Sequence, residues 1–100
     1  MQFGKHSENT TRIRVDNIHI GRIHNDTVSV FETILKSKNI RRDDWIQQQI
    51  LKDFGFKLNK ENLPDFDTLT HERHYEDRGD WLRDKIRHFL QENGDQSNVE

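Results

Sequence analysis

Two apolar stripes at helical spacing are separated by a short stretch that a helix cannot run through. The first stripe is Val28, Phe31, Ile34 and Leu35, and the second is Ile46, Ile50, Leu51 and Phe54. Both follow the i, i+3, i+4 pattern of one helix face. Between them stands Asn39-Ile40-Arg41-Arg42-Asp43-Asp44. Asparagine tolerates the left-handed conformation that closes a helix, and the following Ile40 can fold back as its hydrophobic contact. Asp43 or Asp44 can cap the next helix, and Gln47, three residues after Asp44, makes a reciprocal cap available. The chain is therefore constrained to two helices joined by a tight turn, about 26–38 and 44–54, the second stopped by Gly55.

Upstream the period changes. Thr11-Arg12-Ile13-Arg14-Val15 alternates strictly, and Ile18-His19-Ile20 resumes the alternation after Asp16-Asn17. A two-residue turn at Asp16-Asn17 sets Val15 beside Ile18 and Ile13 beside Ile20. Arg14 and His19 then share the solvated face, and Gly21 marks a bulge. Asn25 or Asp26 is the expected cap of the first helix.

Downstream, 56–67 reads as a connector that holds the only proline, Pro64. The span 68–93 reads as helical with an interruption near Gly79. Its stripe is Trp81, Leu82, Ile86, Phe89 and Leu90, capped by Asp80 and ended by Asn93-Gly94. Residues 1–10 and 94–100 are polar and read as a flexible start and a disordered tail. The expected class is α+β and mainly helical: a short strand or hairpin, then two to four helices.

Composition narrows the function. Only 30% of the 100 residues are apolar, so one chain builds a thin core and a dimer is the natural remedy. Cysteine is absent, which excludes disulfides and thiolate metal sites. No apolar run approaches the roughly 20 residues of a membrane span, and 1–11 lacks the apolar core of a signal peptide, so a cytoplasmic protein without membrane association is expected. Residues 1–42 carry a charge of +4 and residues 43–100 a charge of −6. That split suggests a polyanion-facing half and an acidic half that could meet a protein partner. No glycine-rich phosphate loop and no nucleophile context is present, so no enzyme and no cofactor are expected. His71 and His74 are spaced one residue short of the usual zinc helix motif, and no metal site is assigned to them.

The order strand, helix, turn, helix resembles the ribbon-helix-helix family of DNA-binding proteins over residues 18–55. Asn39, Ile40, Asp43, Asp44, Trp45 and Ile46 are similar in type to the family's turn, and Arg22-Ile23 to its basic–aliphatic strand end. The resemblance implies a homodimer whose paired strands enter the major groove of double-stranded DNA. It also implies a regulatory role, as an autorepressor, an antitoxin or a plasmid relaxosome accessory protein. Arg12, Arg14, His19 and Arg22 are then the strand-borne DNA contacts, with Arg41 and Arg42 at the interhelical turn holding phosphates. Val28, Phe31, Leu35, Trp45, Ile46 and Ile50 are the expected dimer core. The alternative is a small non-enzymatic interaction module, such as a phage- or plasmid-borne inhibitor or adaptor.

Overall fold

In a computed structural model, residues 9–98 are described, with side chains through residue 93. The elements are β1 (Thr10–Val15), β2 (Ile18–His24), α1 (Asn25–Ser37), α2 (Arg42–Phe54), α3 (Leu63–Glu72) and α4 (Arg78–Asn98). The α+β class is as expected: an antiparallel hairpin followed by four helices. No helix among the described residues is long and apolar enough to cross a membrane. The expected flexible start falls mostly on residues 1–8, outside the described residues. The expected tail begins at 94, yet the backbone of α4 stays helical to Asn98.

The hairpin turns on Asp16 and Asn17, both with positive φ (52° and 68°). Those signs match the right-handed twist of the strands, and Asp and Asn tolerate them. Val15 pairs with Ile18 and Arg14 with His19, as the alternation predicts. The register then slips. Ile13 pairs with Gly21 rather than Ile20, so Ile20 is the extra residue of a bulge in β2.

The turn after α1 closes as the sequence suggests. Asn39 has φ 62°, its N–H bonds to the Lys36 carbonyl, and the Ile40 N–H reaches back to the Leu35 carbonyl, each at 3.0 Å. This satisfies two carbonyls that the helix end would leave unpaired. Gly55 ends α2 with φ 85°. The helix starts differ from expectation. Asn25 lies inside α1, where its side chain accepts from Thr11 Oγ1 at 2.6 Å. Arg41 is the residue before α2, and no side chain caps that helix. The Gln47 amide is engaged with the backbone of Leu58 instead, at 2.8 and 3.0 Å, which pins the incoming connector to α2.

The end of the segment read as a connector, from Leu63 on, is helix, because Pro64 sits in the first turn of α3, where its missing N–H costs nothing. The turn after α3 closes through His74, with φ 74°, the Tyr75 N–H bonding back to the Thr70 carbonyl at 3.1 Å. Asp77, not Asp80, precedes α4 and accepts the Asp80 amide at 2.9 Å.

One hairpin face and the helices share one core. Ile13, Val15, Ile18, Ile20 and Ile23 meet Phe31, Ile46, Trp81 and Leu82 there. Two ring clusters organise it. Phe31, Trp45 and Phe89 have centroids 4.9 to 5.7 Å apart, and Phe54, Phe66 and Trp81 lie 5.4 to 5.9 Å apart. All six of these pairs are edge-to-face or tilted, which adds roughly 0.5–1.5 kcal/mol per pair beyond area burial. Trp81 Nε1 donates to Asp53 at 3.0 Å, and Lys85 pairs with the same carboxylate at 2.8 Å. Burial alone would raise Asp53, but the hydrogen bonds from Lys85 and Trp81 outweigh it and hold the carboxyl below its ordinary range.

Candidate nucleic-acid interface

A strand alternates its side chains, so the buried isoleucines of the hairpin dictate what faces out. The outward cross-strand pairs are Thr10 with His24, Arg12 with Arg22, and Arg14 with His19. Neither strand contains an acidic residue. The bulge is what keeps this ladder in step. Without the extra residue, Gly21 would stand opposite Arg12 and Arg22 would turn toward the core. With it, Ile20 and Gly21 are both buried and Arg22 returns to the outer face. All four strand residues expected at a DNA interface are thus on one surface.

Glycine is required at the bulge because α4 arrives there. A Cβ on Gly21 would lie 2.5 Å from the Cα of Gly79. This close approach lets α4 hold the open edge of β2. Arg78 Nη1 donates to the His19 carbonyl at 2.5 Å, and Arg83 Nη1 donates to the Arg22 carbonyl at 2.9 Å. It also places Arg78 beside the basic face. Sequence reading missed Arg78, and the only signal for it was the pair of glycines that permits the contact.

No carboxylate among the described residues pairs with Arg12, Arg14 or Arg22. The Arg22 guanidinium donates from Nε to Thr10 Oγ1 at 3.0 Å, which directs it along the face. Arg12 and Arg22 stand directly opposite each other, an arrangement that costs stability between like charges. His19 feels the cluster. Partial burial, then the charges of Arg12, Arg78, Arg14 and Arg22, hold its imidazole below the ordinary histidine range.

The face ends at a cleft of about 950 Å³ between β2 and the α3–α4 turn. His19, Arg22, Arg78 and Arg83 line it together with Asp67, Glu72, Glu76 and Asp77. Arg78 is bonded to Asp67 by two hydrogen bonds, at 2.7 and 3.3 Å. The cleft therefore marks where the positive surface stops. No group of three or more potential metal ligands converges among the described residues.

Arg41 and Arg42 are in a different setting. They line a hollow with Glu32, Leu35, Lys36, Asn39 and Ile40, which shares no residue with the cleft beside the strand face. Arg42 is bound to Glu32 at 2.6 Å. Asp43 and Asp44, in the first turn of α2, share a second hollow with Asp16 of the hairpin turn. Negative charge gathers there at a helix N-terminus that would otherwise favour a phosphate.

The six residues expected in a dimer core are all buried within one chain. Val28, Phe31, Leu35, Trp45, Ile46 and Ile50 are at most 9% exposed. Most of the apolar surface that α1 and α2 cannot cover for each other is covered by the hairpin and α4, but Leu51 of the α2 stripe stays 56% exposed. Four acids of residues 43–100 are engaged by bases of the same segment, which leaves its net charge of −6 unchanged. Asp53, Asp67, Asp80 and Asp84 pair with Lys85, Arg78, Arg83 and Arg87. Comparison of the chain with protein-family models, with curated proteins and with solved structures finds no match.

Proposed function

We propose that this protein is a non-enzymatic DNA-binding protein that lays the outer face of its β1–β2 ribbon against double-stranded DNA. The major groove is about 12 Å wide and admits a two-stranded ribbon. The observation that carries the reading is the outer ladder itself. It consists of three successive cross-strand pairs with three arginines, two histidines and a threonine, and no carboxylate within either strand. A like-charge pair kept at its centre costs about 0.2–1 kcal/mol in the free chain. A bound polyanion turns that cost into attraction. The face offers no Phe, Trp or Tyr on which unpaired bases would stack, which favours a duplex over a single strand.

The ribbon-helix-helix likeness contributes the regulatory reading, with this difference: both strands come from a single chain, so one copy carries a complete ribbon. Two copies on adjacent half-sites would give the homodimeric form of the same reading.

The test is binding of the full chain to a labelled duplex about two helical turns long. Salt-sensitive binding at about 50 mM salt that weakens steeply by about 200 mM is expected. Absence of binding at the lower salt overturns the reading. An acidic protein surface then becomes the occupant to seek for the same arginines.

A further inference from the structure

The basic face and the charged cleft meet at one side chain, His19. It stands opposite Arg14 in the hairpin, and the neighbouring pair is Arg12 with Arg22. From α4, Arg78 bonds the carbonyl of His19 itself. From α3, Asp67 approaches only through Arg78, which takes up both its carboxylate oxygens. His71 and Glu72 of α3, with Glu76 and Asp77 of the following turn, line the same cleft, and Arg83 of α4 completes it. The ring is exposed, and its nearest unneutralised neighbours are cations.

We propose that docking of a DNA phosphodiester backbone on the strand face is accompanied by uptake of a proton at His19, so that the imidazole arrives neutral and becomes a further cation of the bound surface. The inference rests on the nucleic-acid reading above. In the free chain the charged ring is disfavoured, first by partial burial and then by Arg12, Arg78, Arg14 and Arg22. A phosphate seated among these guanidiniums brings charge of the opposite sign to the same neighbourhood. It offsets the repulsion and gives the second ring N–H an acceptor.

The sign follows from linkage. A complex that holds one more proton than its free parts is strengthened as pH falls. For one proton the affinity changes by at most about tenfold per pH unit. The free chain behaves oppositely. Its His19 is held below the ordinary range, so the contribution of His19 to stability is full above the unfolded value near 6.5 and is lost as pH falls through the folded one. Acidification thus weakens the fold at His19 while strengthening its complex.

The experiment measures affinity for the labelled duplex at fixed salt across about pH 5.5 to 8. The wild type is compared with His19→Gln and with His88→Gln, a histidine of α4 outside both the strand face and the cleft. NMR of the histidine rings is followed with and without the duplex. We expect the wild type and His88→Gln to tighten several-fold as pH falls, His19→Gln to show a flatter dependence, and the His19 ring to titrate higher in the complex. An equal slope in His19→Gln, or a His19 ring whose titration does not rise with DNA, overturns the proposal while leaving DNA binding intact. A wild type that binds no duplex at any pH overturns the nucleic-acid reading, and proton uptake with it.

Discussion

Two arginine clusters look alike in the sequence and differ in the fold. Arg12, Arg14 and Arg22 lie on strands without an acid, and no carboxylate among the described residues pairs with them. Arg41 and Arg42 lie in a turn where Glu32 binds Arg42 and where Asp43 and Asp44 follow at once. Residues 10–24 carry a formal charge of +2, whereas in 39–44 the two arginines are cancelled by two aspartates. What also differs is whether the fold has already supplied the counter-charge. A guanidinium facing its own carboxylate must give up that partner before a phosphate gains anything. One surrounded by cations gains from the first phosphate it meets. Under the proposed function the strand face is therefore the stronger candidate, although both sets were expected to contribute.

The largest break in this comparison removes the scaffold under both clusters. Ile46 is fully buried among the apolar side chains of the core. Ile46→Asp puts an unpaired charge there, at several kcal/mol, comparable to the stability of a small domain. Thermal melting by circular dichroism should show an unfolded or barely folded chain. An unchanged melting temperature contradicts the assignment of the core.

Gly21→Ala strikes the strand side alone. The added methyl must push against the backbone of Gly79, and overpacking of this kind costs about 1–3 kcal/mol. Urea denaturation should report that loss. DNA affinity should fall as well, because the bulge aims Arg22 and the α4 contact brings Arg78 to the face. Full retention of both stability and affinity means that β2 and α4 are not tightly fitted at this point.

How far the sequence could be read follows the range of the forces involved. The Asp16-Asn17 turn and the pairing up to Arg14 and His19 are local, and alternation with turn chemistry was enough to place them. The slip beyond Ile13 was not local. A glycine hinted at a bulge, but the direction of the slip is set by the approach of Gly79 from the far end of the chain. The Asn39-Ile40 closure was legible because asparagine is a common left-handed residue. The equivalent closure at His74-Tyr75 was not, because histidine seldom marks one. Pro64 misled because proline disrupts a helix interior yet fits a first turn. The stripes of α1 and α2 were correctly seen as larger than each other could cover. A stripe does not say what covers it, and here the hairpin and α4 cover most of it within one chain, leaving Leu51 exposed.

The central claim is that the strand cluster, and not the turn cluster, carries the interaction. The most direct test compares the salt dependence of duplex affinity for two double variants, Arg12→Ala with Arg14→Ala and Arg41→Ala with Arg42→Ala. Removing one phosphate-binding arginine lowers the slope of log affinity against log salt by about one unit. The account predicts a slope lower by up to about two units for the strand variant. For the turn variant it predicts an unchanged slope, with a stability loss of about 1 kcal/mol from the half-buried pair with Glu32. A turn variant whose slope falls while that of the strand variant holds contradicts the account.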